Sequence, residues 1–186
     1  TNEFQPRNVG DGSLIGVELE VRKSLDVFSQ SLSNITWVTN VTVVRTRLEM
    51  SEVEFDARND FRKDGQDISN KREMAGQAPY VINAGLSYEN DQARADVGLY
   101  YNVQGRTLTV VGGGLFPDVY AEPFHSLNFN ANKQFGPKDN VSLNFSVNNI
   151  LDDVREEFYE GFNADPQYFS RRSPGRSISI GVGYKF

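Results

Sequence analysis

The sequence predicts an all-β fold, an antiparallel up-and-down transmembrane β-barrel segment of about seven strands. Three observations point there. Apolar and polar residues alternate over successive stretches, the connections between those stretches alternate in length, and the chain stops on "SISIGVGYKF" (177–186), an alternating run that ends in an aromatic residue. Period-two alternation puts one set of side chains on each face of a strand. Frayed tails are usually polar because nothing buries them. The apolar face of this tail therefore needs an apolar surrounding, either protein or lipid.

Strands are expected near 14–23, 35–48, 79–89, 94–109, 124–135, 140–151 and 176–186. In the first, Ile15, Val17, Leu19 and Val21 oppose Gly16, Glu18, Glu20 and Arg22. The second is the least regular, because Val38 and Val44 fall on its polar face. The third is the run around "VINAGLSYEN". In the fourth, Val97, Leu99, Tyr101 and Val103 oppose Asp96, Gly98, Tyr100, Asn102 and Gln104. The fifth sets Leu127, Phe129, Ala131 and Phe135 against Asn128, Asn130, Asn132 and Gln134. The sixth sets Val141, Leu143, Phe145 and Val147 against Ser142, Asn144, Ser146 and Asn148. In the last, Ile178, Ile180, Val182, Tyr184 and Phe186 share one face, with Ser177, Ser179, Gly181, Gly183 and Lys185 on the other. No helix of any length competes with this pattern.

The connections carry the second signal. Segment 24–34 is intermediate, 49–78 very long, 90–93 ("NDQA") short, 110–123 long, 136–139 ("GPKD") short and 152–175 long. Long loops then share one end of the sheet and short turns the other, the asymmetry of outer-membrane barrels. The segment 49–78 is charged and reads as a solvated loop with too few apolar residues to fold alone. The last strand follows a long loop, so it runs inward and leaves the C-terminus in the periplasm. With that orientation Trp37, Tyr88, Phe135, Tyr184 and Phe186 gather on the apolar face at the periplasmic ends, as an aromatic girdle would. Tyr80 lies at the opposite end.

Composition agrees. A net charge of −6 argues against a phosphate-backbone partner, so no nucleic acid is expected. There is no cysteine, which decides nothing about compartment. No run of about 18 apolar residues exists for a membrane helix, while barrel strands, only half apolar, escape that test. The 13 phenylalanines, 8 tyrosines and 16 glycines suit strands and turns. An Asn- and Ser-rich polar face would be costly as a sealed core; it suits a wet lumen or one filled by a polar plug.

The chemical motifs are weak. Glu18 and Glu20 share a face, but no nucleophile or histidine joins them, so a solvated lumen wall is the better reading. His125, the only histidine, reads as a polar residue at a loop edge. "GGG" at 112–114 lacks the Lys-Ser/Thr of a phosphate loop and reads as a flexible start to an extracellular loop. Arg171 and Arg172, with Asp152, Asp153, Glu156 and Glu157, mark a charged last loop facing ligand or surface lipopolysaccharide. Neither catalysis, a metal nor a cofactor is implied.

Seven antiparallel strands cannot close with every pair antiparallel, so the chain reads as the C-terminal part of a larger barrel. An eight-strand closure through residues 2–8 is the alternative. At this point "GVELEVRKSL" (16–25), "MAGQAPYVINAGLSYEND" (74–91), "YYNVQGRTLTVVG" (100–112), "PDVYAEPFHSLN" (117–128), "FSVNNILDD" (145–153) and "GRSISIGVGYKF" (175–186) resemble the final strands of a TonB-dependent outer-membrane receptor. The resemblance implies a 22-stranded barrel with a plugged lumen. It implies import of a scarce ligand (metal chelate, vitamin or glycan) with energy from an inner-membrane complex in a Gram-negative cell. The implied partners are the remaining strands and the plug, which this sequence lacks. They also include outer-membrane lipid and lipopolysaccharide, the barrel-assembly machinery, and an energy-transducing periplasmic protein reached through the plug. Ile180, Val182, Tyr184 and Phe186 resemble the C-terminal signal read by that machinery. A soluble β-barrel holding a small apolar ligand, or a small non-energised outer-membrane barrel, is the alternative.

Overall fold

The structure, a computed structural model, describes residues 10–186. Its elements are β1 (Gly12–Ser24), β2 (Ile35–Glu49), α1 (Glu52–Asp60), β3 (Lys71–Arg72), β4 (Tyr80–Asn90), β5 (Ala95–Gln104), β6 (Thr107–Val110), β7 (Asp118–Ala121), β8 (Phe124–Phe135), β9 (Val141–Asn148), β10 (Arg155–Glu160), β11 (Gln167–Arg172) and β12 (Ser177–Tyr184). The main sheet runs β1-β2-β4-β5-β8-β9-β12, with every pair antiparallel and β3 attached to β2. It is an open meander, and β1 does not pair with β12. The eight-strand alternative falls on residues 2–8, outside the described residues.

The register joins the seven alternating patterns into two continuous faces. Trp37, Leu86, Leu99, Phe129, Val147 and Ile178 form one cross-strand row. On the opposite face, Glu20, Asn40, Asn83, Asn102 and Ser126 form another. A slip of one residue would turn every side chain of a strand to the wrong face, so the common register is what makes the sheet two-sided.

The short connections are tight and mutually tied. Asn90 Oδ1 accepts from the Ala93 N–H at 2.8 Å, a side-chain bond that closes the hairpin turn. Arg94 pairs with Asp139 across the two turns. Segment 24–34 holds two single 3-10 turns, Leu25–Val27 and Gln30–Leu32, each opened by a serine whose Oγ accepts a backbone N–H.

The long connections correct three expectations. The strand expected across 94–109 is two strands: β5 ends at Gln104, and after Gly105 and Arg106 the chain resumes as β6 in a different sheet. The ring of Tyr80 packs where a Gly105 side chain would be, so the backbone turns there rather than running straight on. Segment 49–78 is not structureless, for it contains α1 and β3. Ser51 caps α1, its Oγ accepting from Glu54 N–H at 3.2 Å, in the S-x-x-E arrangement of a capping box. The segments expected as loops at 110–123 and 152–175 fold together, giving a four-stranded sheet of order β11-β10-β7-β6.

The core lies at that end. Among the described residues the buried apolar side chains are Ala78, Val103, Leu108 and Val119, all at or beyond the long-loop ends of the main strands. The main sheet buries no layer of its own. Ile15 is 73 % exposed, Val17 74 %, Ile180 72 % and Val182 75 %. Soluble domains do not leave an apolar face of this extent bare.

Candidate functional site

Three surfaces carry chemistry: the apolar face of the main sheet, its polar face, and the small sheet built from the long connections.

Among the charges on the apolar face, that of Lys133 explains itself. Lys133 lies between Ala95 and Leu143 in register, yet its Nζ donates to the Ala93 carbonyl in the adjoining turn. A lysine stem along apolar surface with its head drawn to a polar boundary is snorkelling.

The polar face is lined with amides. Asn40 donates to Glu18 Oε1, Asn102 to Asn83 Oδ1 and Asn132 to Asn144 Oδ1, each at 2.5 Å. Side-chain amides bonded across strands line this wall, which also carries Glu18, Glu20, Arg22, Glu89 and Asp96. Tyr100 lies flat on this wall. A Cβ at Gly85 would come 2.6 Å from its ring, and one at Gly98 would also strike it. Those two glycines are the cradle for one aromatic ring. A recess of about 360 Å³ is lined there by Arg22, Asn40, Asn83, Glu89, Tyr100 and Asn102 among others.

The small sheet is held by ion pairs between separate connections. Arg58 of α1 grips Asp118 of β7 through two donors, at 2.7 and 3.0 Å. Glu54 accepts from Arg72 at 2.7 Å and pairs with Arg58 at 3.3 Å. Burial alone would lower the Arg58 pKa, but hydrogen bonding and charge from Asp118 and Glu54 outweigh it and raise it. Arg106 joins Glu122 at 2.9 Å and Glu160 at 2.8 Å, and lies 4.1 Å over the Tyr120 ring. Burial, reinforced by Glu73, Asp118 and Glu160, pushes the Tyr120 hydroxyl up to about 12. Where the long connections meet, a cleft of about 250 Å³ is lined by Arg58, Phe61, Phe116, Asp118, Glu160 and Phe162 among others.

The comparisons bear on what this arrangement belongs to. The family described as "TonB dependent receptor-like, beta-barrel" matches residues 1–150. The chain belongs to that family. Transport across the outer membrane is the family's function, and its members are transmembrane β-barrels rather than a class of enzyme. No curated protein and no solved structure matches the chain.

In this receptor barrel the residues singled out from sequence fall as follows. Trp37, Tyr88, Phe135 and Tyr184 lie on the apolar face, at or within three residues of the short-turn ends of β2, β4, β8 and β12. Phe186 follows β12, its ring 5.1 Å from that of Tyr184 and perpendicular to it. Ile180 and Val182 face the same way, opposite Phe145 and Leu143. Glu18 is held by Asn40, and Glu20 lies opposite Asn40 in register. His125 Nδ1 bonds the Tyr101 hydroxyl at 2.6 Å, while its backbone N–H donates to Asp153 at 2.6 Å. Glu156 pairs with Arg171 at 3.0 Å, Glu157 accepts from Ser170 at 2.6 Å, and Asp152 approaches Arg176 at 3.9 Å. Arg172 lies opposite Arg155 in register. No group of three potential metal ligands occurs among the described residues.

The glycine run departs from expectation. Gly112 N–H donates to Asp118 at 2.7 Å, and Gly114, at φ +84°, presses its backbone onto the Ala57 carbonyl of α1. It is a packing contact, and only glycine allows that approach. Asn149 is the residue that sequence reasoning passed over. It is buried at positive φ, its side-chain amide donates to the Asp153 and Gly175 carbonyls at 3.1 Å each, and its Oδ1 accepts from Asp153 N–H. One asparagine thus clasps both ends of the last long connection, the physical content of "VNNILDD".

Proposed function

We propose that this segment is the C-terminal wall of an active importer of a scarce ligand, a metal chelate, vitamin or glycan, driven by an inner-membrane energy source. The observation that supports this most is the division of one seven-strand sheet into a bare apolar face and an amide-lined polar face. The apolar face suits lipid. The polar face suits a lumen filled by a plug, since its amides can hydrogen-bond a plug domain. In this reading further strands complete the barrel beyond β1 and β12, the C-terminus lies in the periplasm, and the cleft among the long connections meets the ligand. Trp37, Tyr88, Phe135, Tyr184 and Phe186 form the periplasmic girdle. Ile180, Val182, Tyr184 and Phe186 are read by the assembly machinery, lipopolysaccharide surrounds the loops, and no catalytic chemistry is assigned.

The test is uptake by cells expressing the receptor as their only importer, offered radiolabelled ferric hydroxamate, cobalamin and maltodextrin. Accumulation of one of them that stops when a protonophore collapses the inner-membrane gradient is the expected result. Entry that continues unchanged after the gradient is lost would mean a passive pore.

A further inference from the structure

Of the connections at the short-turn end, those after β4 and β8 are tight and charged: Asp91 and Arg94 mark the first, Lys138 and Asp139 the second. The connection from β1 to β2 is different. It reads "SLDVFSQSLSN" (24–34), with the large apolar residues Leu25, Val27, Phe28 and Leu32 and a single charge, Asp26. Leu25 and Leu32 are half-buried. Phe28 is 79 % exposed and Val27 54 %.

This is not a loose loop. Ser24 Oγ donates to the Ser33 carbonyl at 3.5 Å and so ties the two ends together. Within it, Phe28 N–H donates to the Leu25 carbonyl at 3.0 Å and Leu32 N–H to the Ser29 carbonyl at 2.9 Å. The Asn34 carbonyl accepts from Glu89 N–H at 2.9 Å, which fixes the loop to β4. Its own backbone and serines therefore hold Val27 and Phe28 in place while leaving them bare. In water a fixed apolar tip has nothing to bury it.

The position of the tip selects its partner. Leu25, with Trp37, Leu86, Leu99 and Leu127, lines a hollow of about 450 Å³ in the apolar face, so the loop leaves β1 on that side of the wall. Ser24 pairs with Thr36, next to Trp37. A 3-10 turn rises about 2 Å per residue, so Phe28 lies within about 8 Å of the end of β1. The headgroup layer of a bilayer is about 5–8 Å thick. Val27 and Phe28 thus stand at the depth of that layer, continuous with the apolar face.

We propose that segment 24–34 is an interfacial anchor, which inserts Val27 and Phe28 into the phospholipid leaflet at the short-turn end of the barrel. The anchor requires that the apolar face meets lipid. It is tested on receptor free of other cysteines, reconstituted in phospholipid nanodiscs, with nitrobenzoxadiazole on single introduced cysteines. At Gln30→Cys, within the loop, doxyl-labelled phospholipid should quench the label and aqueous iodide should not. At Gln92→Cys, in the charged turn after β4, the pattern should be the reverse. Adding Val27→Ser with Phe28→Ser to labelled Gln30→Cys should convert its quenching to the Gln92 pattern. If that variant fails to assemble, Phe28→Ser alone should shift it in the same direction. Iodide quenching at Gln30 in the otherwise native loop would place the tip in water. Shielding from both quenchers would place protein over it. Either result overturns the anchor, as does lipid quenching that the serines leave unchanged. A label at Val17→Cys, on the apolar face, keeps the two readings apart. Lipid quenching there but not at Gln30 confines the failure to the anchor, whereas its absence at Val17 overturns the lipid-facing reading beneath it.

Discussion

Phe145 and Asn144 are sequence neighbours on β9 that meet different surroundings. Phe145 lies on the apolar face against Phe129, ring centres 6.1 Å apart, whereas Asn144 accepts from Asn132 on the polar face. An arginine at the bilayer midplane of a barrel costs roughly 2–4 kcal/mol, falling to about 0–1 near the interface. Phe145→Arg is therefore expected to destabilise severely and Phe135→Arg, at the short-turn end of β8, to be nearly tolerated. Asn144→Arg should be mild as well. Reversible unfolding of the receptor, or its heat-modifiable gel mobility, distinguishes the three; equal large losses at both phenylalanines would mean a sealed protein core instead of lipid. Tyr120 gives a second expectation at this scale. Burial pushes its hydroxyl up to about 12 in the folded protein, from about 10 in an unfolded chain. The stability linked to it is thus whole below pH ~10 and is lost as pH rises toward 12. A near-ultraviolet absorbance titration of wild type minus Tyr120→Phe should show one late-ionising phenol. A difference midpoint at the ordinary tyrosine value would show that Tyr120 is solvated.

At the scale of elements, the last long connection hangs on Asn149. Replacing it by aspartate removes the amide that donates to Asp153 and Gly175 and faces a carboxylate toward their carbonyls. Losing buried bonds of this kind costs about 1–3 kcal/mol. Asn149→Asp should let a protease cut within 150–176 faster by at least tenfold, with the barrel's heat-modifiable mobility unchanged; unchanged cleavage would show that the clasp is dispensable. The same element shows how far sequence could be read. The strands of the main sheet were legible because each alternates over eight or more residues, as in "VSLNFSVN" of β9, and pairs with its neighbour in sequence. The small sheet was not. β6 and β7 have four residues each, too few to show a period, and β7 pairs with β10, which comes from a different connection. Nor was the ion-pair network, since Arg58 and Asp118 are 60 positions apart. α1 did announce itself in the capping box Ser51–Glu54, but the charged residues around it read as solvated loop. The polar wall was visible as a run of asparagines; that they bond one another across strands needed the register.

For the whole molecule the deciding feature is that the sheet is open. β12 pairs with β9 on one side only, so its backbone groups on the other side have no partner among the described residues. In lipid, where water cannot replace a missing partner, each unsatisfied group costs several kcal/mol. β12, "SISIGVGY", has neither the proline nor the charge by which soluble sheets blunt an edge, and β1, "GSLIGVELEVRKS", has no proline and keeps its charges to its second half. Both are long, regular and apolar on one face, built to be paired. In the receptor embedded in nanodiscs, every amide from Ser177 to Tyr184 should therefore resist hydrogen exchange, including the alternate ones that point away from β9. Those alternate amides are the informative set, because the bonds to β9 protect only their neighbours. The same should hold along β1 on the side away from β2. Residue-resolved exchange by nuclear magnetic resonance reads this directly. Slow exchange at every position on both strands means that further strands continue the barrel past each edge. Fast exchange at alternate residues of β12 would make it a true edge, and the chain could then not be a segment of a larger closed barrel.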